Sequence, residues 1–198
     1  MKLILASDNA HKLQEFKKLF EGTDVELMTK KEAGFTEEVE ETGVTFAENA
    51  FIKAEAVVRA TGLAAIADDS GLCVDALGGA PGVYSARYTG SHADSDADRY
   101  NLVLKNLDGR TDRTARFVSE LCCVFPNGDV LRARGTCEGT ILTGPRGENG
   151  FGYDPVFLPE GYDRSMAELT MEEKNAISHR GRALELFKKE WERYYAHK

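Results

Sequence analysis

The run Leu63-Ala64-Ala65-Ile66-Ala67 leads directly into Asp68-Asp69-Ser70-Gly71-Leu72, so two adjacent carboxylates and a hydroxyl stand at the end of an apolar stretch. Alanine and isoleucine are easily buried, whereas a carboxylate beside them loses much of its hydration energy unless it gains cations, donors or a metal ion. Any fold that buries the run must therefore supply partners for the acids. On a regular strand the two side chains point to opposite faces, while a strand that ends and turns through Ser70-Gly71 brings both toward one side. One of the acids capping such a turn is a third reading.

The chain has 198 residues, 42% hydrophobic and 29% charged, which suits one domain with a substantial core and room for two small lobes. A formal net charge of -8 and a pI near 5.1 oppose long-range attraction to polyanions, so a nucleic-acid polymer is not an expected partner. Small anions are not excluded, since a pocket needs only a few cations. Met1-Lys2 leads into an apolar run of only Leu3 to Ala6, and no window reaches the roughly 20 apolar residues of a membrane span. The expectation is a cytoplasmic protein without membrane contact. Cys73, Cys122, Cys123 and Cys137 have no CxxC spacing and read as reduced buried thiols. The histidines, at positions 11, 92, 179 and 197, form no HExxH pattern, so any metal here is expected to be a hard one rather than zinc.

Hydrophobic periodicity gives the organisation. Lys2 to Ala6 reads as a buried strand, followed by a helix carrying Leu13, Phe16, Leu19 and Phe20. Thr45 and Glu48 form a capping box for a helix over Phe46 to Ala60 that ends at Thr61-Gly62, after which comes the strand leading into Asp68. Gly78-Gly79-Ala80-Pro81-Gly82 is a backbone-permissive loop, and Gly90 to Asp98 is polar enough to be mobile, with closure over a ligand as its use. A helix over Ala97 to Leu107 follows. Arg116 to Phe125 and Val130 to Cys137 flank Pro126-Asn127-Gly128-Asp129 and predict an antiparallel hairpin, with the option of a subdomain of its own. Thr170 and Glu173 form a second capping box for a helix reaching His179, and Gly181 marks a break or a tight contact before an amphipathic helix with Leu184, Phe187, Trp191 and Tyr195. The mixture predicts an α/β fold with a mixed central sheet flanked by helices.

Several segments carry chemistry-bearing residues. Ser7-Asp8-Asn9-Ala10-His11-Lys12 joins the first strand to the first helix, where free N–H groups and the positive helix end favour an anion, although an ordinary capped turn explains it equally well. Thr36-Glu37-Glu38-Val39-Glu40-Glu41 is a solvated acidic run by itself; with Asp68 and Asp69 it becomes a source of ligands for Mg²⁺, which takes one or two carboxylates plus phosphate oxygens and water. Asn49 and Lys53, four apart on a helix, share a face toward the end of that loop. Gly150-Phe151-Gly152-Tyr153-Asp154-Pro155 offers aromatic faces, close approach and a carboxylate to a flat heterocycle, or is a turn with buried aromatics. Lys174, Ser178, His179 and Arg180 supply donors at a helix end, where such cations also serve the helix dipole. Asp69-Ser70-Gly71 matches an aspartic-protease tripeptide, but no second copy exists to form a dyad, and the acids are not spaced as in phosphatases with an aspartyl nucleophile.

Taken in order, SDNAHK, EETGVTFAENAFIKA, ADDSGL, GGAPGVYSAR, GFGYDP and AELTMEEKNAISHRG resemble the inosine/xanthosine triphosphate pyrophosphatase family over nearly the whole chain. The resemblance implies a single domain over residues 1–198 with two lobes around a central nucleotide-binding cleft, Mg²⁺ dependence, a homodimer, and hydrolysis of ITP, dITP and XTP to monophosphate and pyrophosphate. It makes Asp69 the base, with Asp69 and Glu41 (or Glu40, one residue away) on the metal and Asp68 as a further candidate ligand. Ser7, Asp8, Asn9, Ala10, His11, Lys12, Lys53 and Ser70 would bind triphosphate. Phe151, Gly152, Tyr153, Asp154, Lys174, His179 and Arg180 would hold the base and its neighbourhood, with Arg87 as a less secure contact. Ser7-Asp8 stands where the family commonly has Thr-Gly, and Asp8 beside a triphosphate costs affinity unless it points away or helps hold the metal. The rival readings are a pyrimidine or modified-nucleotide hydrolase and a nucleotide sensor without catalysis.

Overall fold

The protein is described by a computed structural model covering residues 1–196, with the side chains of Ala10 and His11 outside the described set. Six strands form one sheet in the order β2-β1-β3-β4-β5-β6: β1 (Lys2–Leu5), β2 (Glu26–Thr29), β3 (Ala64–Val74), β4 (Thr114–Val124), β5 (Val130–Ile141) and β6 (Phe157–Pro159). The sheet is mixed, since β1 runs parallel to both β2 and β3 while β5 and β6 are antiparallel. The helices are α1 (Ala10–Leu19), α2 (Phe46–Thr61), α3 (Asp96–Asn106), α4 (Met171–Ile177) and α5 (His179–Ala196). None of the described helices is long and apolar enough to cross a membrane.

The local signals explain most boundaries. Thr45 Oγ1 accepts the Glu48 N–H, Glu48 returns a carboxylate to the Thr45 N–H, and Gly62 at φ 68° ends α2 in the left-handed region that disfavours side chains. The same reciprocal box opens α4 at Thr170 and Glu173. Phe125 and Asp129 close the turn between β4 and β5, with Gly128 at φ 89°. These two strands occupy interior positions of the sheet, so the hairpin is not a separate subdomain; its alternating Leu121, Cys122 and Cys123 are all buried, which requires cover on both faces.

The chain divides into two compact units. The first comprises residues 1–69, 120–134 and the stretch from Ala183 onward; the second comprises residues 70–119 and 135–182. In the first unit, one side of β3 sends Ala64 and Ile66 into a cluster with Phe16 of α1, Phe20 just past its end, and Phe187 and Trp191 of α5. The alternate residues Ala65 and Ala67 pack with Ala50, Ala54 and Val57 of α2. In the second unit Leu72, Val74, Phe117, Tyr153, Val156, Phe157 and Met166 form a core of their own.

Candidate active site

β3 does not turn at Ser70-Gly71; it continues to Val74, and the two acids therefore lie on opposite faces. Asp68 follows Ala64 and Ile66 onto the α1 side, where its Oδ1 meets Lys12 Nζ at 2.8 Å with no side-chain exposure. Asp69 follows Ala65 and Ala67 onto the α2 side, where its Oδ1 lies 3.3 Å from Lys53 Nζ. Gly71 has a packing role instead. A Cβ there would stand 2.3 Å from Ser85 Oγ, which accepts the Leu72 N–H at 2.9 Å and donates to Gly82 O at 2.7 Å.

Lys53 Nζ also reaches Glu41 Oε1 at 2.7 Å, so a single ammonium gathers the end of the acidic run and the second β3 acid. The loop is held there from below. Asn49, fully buried and one turn before Lys53 on α2, accepts the Gly43 N–H through Oδ1 at 2.8 Å, and a Cβ on Gly43 would meet that oxygen at 2.6 Å. Burial pushes Asp69 above the ordinary carboxylate range; Lys53 draws it back and Glu41 pushes it further up. For Lys53 burial acts downward, but the attraction of Asp69, Glu41 and Asp68 outweighs it and the ammonium is held above its usual value. Asp69 Oδ2 and Asn49 Nδ2 are both buried, and the Asn49 amide also draws the Asp69 pKa down.

The segment entering α1 is a capped turn in this structure. Asn9 Oδ1 accepts the Lys12 N–H at 3.2 Å and Ser7 Oγ accepts the Asn9 N–H at 3.2 Å. Asp8 is paired with Lys30, Oδ2 to Nζ at 2.9 Å, on an exposed carboxylate. Ala10 and His11 lie in the first turn of α1, and their side chains fall outside the described set.

The remaining candidates lie in the second unit. Asp154 is buried; its Oδ2 accepts the Phe151 N–H at 2.9 Å and pairs with Lys174 Nζ. Gly150 is obligatory, since its φ is 78° and a Cβ would fall 2.1 Å from that carboxylate oxygen. Burial raises the Asp154 pKa against the pull of Lys174. Lys174 Nζ stands 4.3 Å above the Phe151 ring centroid, and that ring is 65% exposed. Tyr153, by contrast, is core, with its hydroxyl donating to Ser85 O at 2.7 Å. The loop thus presents one aromatic face to solvent. The Gly152 N–H is taken by Asp96 Oδ2 at 2.6 Å, and Asp96 is paired in turn with Arg99.

His179 and Arg180 are not the last residues of one helix. α4 ends at Ile177, Ser178 is extended at ψ 146°, and its Oγ caps α5 by accepting the Gly181 N–H at 3.0 Å. Both side chains are therefore at a helix start, where the dipole opposes cations and an acceptor or anion opposite them would be stabilising. The His179 ring is stacked on Phe117 with centroids 5.0 Å apart. Gly181 is the tight contact, with a Cβ there 2.9 Å from Asn175 O. Ser70 and Arg87 belong to this unit, the Arg87 guanidinium lying 5.2 Å from the Tyr84 centroid.

Sequence reasoning missed Lys30, Asp96 and Arg99. Lys30 is one of many lysines and gives no signal in the chain, while Asp96 and Arg99 are hidden inside an ordinary helix start at Ser95, whose box with Asp98 is all the sequence displays.

Among the described residues, no three His, Cys, Asp or Glu side chains cluster as a metal cage. A divalent cation that brings phosphate oxygens and water needs only one or two carboxylates. Glu41 and Asp69, drawn to one ammonium, fit that requirement.

The chain is similar to a dITP/XTP pyrophosphatase of a Synechococcus strain, 50% identical over 192 residues that cover 96% of this chain and 90% of the relative. A dITP/XTP pyrophosphatase of Bacillus anthracis is 51% identical over 186 residues, 92% of each chain. Among solved structures, the Staphylococcus aureus Ham1 protein superposes with a TM-score of 0.93 at 42% identity, covering 98% of this chain and 100% of that one. Residues 3–190, from within β1 to within α5, match the model of the Ham1 family, and the chain belongs to the Ham1 family.

Proposed function

We propose that the chain is a pyrophosphohydrolase of non-standard purine nucleoside triphosphates, converting ITP, dITP and XTP to the monophosphate and pyrophosphate. The observation that carries this reading is the convergence of Glu41 and Asp69 on Lys53. The names of the relatives, dITP/XTP pyrophosphatases at about half identity, support the choice of substrate.

Glu41 and Asp69 would hold Mg²⁺, which when bound supplies charge neutralisation on the phosphate chain. Asp69 accepts the proton of the attacking water as the α-phosphorus is displaced from pyrophosphate. Lys53 and Lys12 offset charge that builds on the leaving group, each already oriented by a carboxylate. In the second unit the exposed Phe151 ring offers a stacking face, and donors from His179 or Arg180 suit the C6 carbonyl of hypoxanthine or xanthine, where adenine has an amine. The same reading includes a cytoplasmic homodimer.

The test is product analysis over ITP, dITP, XTP, GTP, ATP and dTTP, with Mg²⁺ and with EDTA. Pyrophosphate released from ITP, dITP and XTP, and lost with EDTA, is the expected result. Release of orthophosphate, or equal turnover of ATP, would overturn the reading.

A further inference from the structure

Asp8 poses a problem for any phosphate-binding role of the segment before α1, because it adds a negative charge there. The structure answers it with Lys30, at the β2 side of the same unit. The residue after β2 is fixed by its backbone, its N–H donating to Leu5 O at 3.2 Å and its carbonyl accepting the Phe35 N–H at 2.8 Å. The side chain is 18% exposed, although the Asp8 side chain it meets is 62% exposed. An exposed carboxylate needs no buried cation, and such a pair is worth little. Something else accounts for the enclosure of Lys30. It lines a cavity of about 180 Å³ whose wall also includes Lys53, Glu41 and Glu38 over a floor with Phe35 and Val57.

Among the described residues of this unit, Lys12, Lys30 and Lys53 are paired with acids, and the pairs differ in how readily the acid is released. Asp68, on Lys12, has no side-chain exposure, and Lys53 holds Glu41 and Asp69 at 25% and 13%. Asp8 alone of these partners faces water, so separating it from its lysine leaves a carboxylate that water can solvate. Of these three lysines, Lys30 is therefore the one most readily shared with an arriving anion. Two acids in the cavity wall favour a phosphate chain carrying a divalent cation over a bare anion.

We infer that Lys30 is a further binding residue for the pyrophosphate portion of the substrate, held ready by Asp8 and released to the phosphates when they enter the cavity beside Lys53 and Glu41. The inference rests on the pyrophosphohydrolase reading. Its test is calorimetric binding of pyrophosphate in the presence of Mg²⁺, with thermal melts to establish folding. Lys30→Ala, and Lys30→Gln as the variant that keeps the aliphatic stem, should weaken binding about tenfold, the loss of one charge-assisted contact. Lys30→Arg should restore most of it, and Asp8→Gly should tighten binding by removing the competitor. The double variant Lys30→Ala/Asp8→Gly decides between two roles. If Lys30 touches phosphate, the double variant stays weaker than the wild type even with Asp8 gone; recovery to wild-type affinity would make Lys30 a mere neutraliser of Asp8 and overturn the inference, as would unchanged binding by both single Lys30 variants. A wild type that binds pyrophosphate through Lys30 yet releases none from ITP, dITP or XTP would sink the functional reading and leave this one standing.

Discussion

Asp69 is asked to be both buried and charged, and the two demands conflict. Its pKa is raised first by burial, so the folded chain prefers the neutral acid more than the unfolded chain does. The sign follows from linkage: stability owed to the neutral form is fully present below the unfolded value and is lost as pH rises through the higher folded value. Asp69→Asn should therefore melt at a higher temperature than the wild type at neutral pH, with the gap closing as pH falls below the ordinary carboxylate range, while turnover drops about 10²–10⁴-fold. Melting curves across pH, beside single-turnover rates, check both halves. A variant less stable at every pH would show that the Lys53 pair contributes more than burial costs.

At the scale of elements, the cap boxes at Thr45 and Thr170, the α2 termination at Gly62 and the hairpin turn at Gly128 were legible because each is a local contract between residues close in sequence. The path of β3 was not, because Ser70-Gly71 reads as a turn until Ser85, remote in sequence, packs on the glycine. Nor was the break at Ser178, since Ser-His-Arg-Gly can end one helix or open another. The site was legible as residue types in a familiar order, but its pairings were not: which acid meets Lys12 and which meets Lys53 depends on strand parity. The tether from α3 to the aromatic loop belongs to this scale too. The Gly152 N–H and Arg99 hold Asp96 below its usual pKa against the opposing effect of burial, so its stabilisation is present above the unfolded value and is lost as pH falls through the folded one. Asp96→Asn should raise KM for ITP and XTP several-fold while leaving pyrophosphate binding intact, and its stability deficit should vanish in acid. Pyrophosphate titrations and melts at several pH values measure this.

For the molecule as a whole, β3, β4 and β5 each contribute residues to both compact units, so neither unit owns a complete set of strands. Thiols report on each core: Cys123 sits in the first unit and Cys137 in the second, both buried. Burial pushes Cys122 and Cys137 up to about 11 and Cys123 higher still, which leaves them protonated and unreactive at neutral pH. Alkylation of these three should be negligible in the native protein. With increasing denaturant, Cys123 and Cys137 should become reactive at a common midpoint, as strands shared by two cores predict; distinct midpoints by mass spectrometry would show that the cores open separately.

The backbone of β3 is a partition one chain thick, with Asp68 and Lys12 on one side and Asp69 with Lys53 on the other. Neighbours in the gene are thus separate tenants in the protein. Yet the wall is thin: Lys53 feels Asp68 through it, and Lys12 is assigned to the same leaving group, so a change on the α1 side reaches the chemistry on the α2 side. Drift at one address must therefore be answered at the other, and the codon pair evolves as one locus.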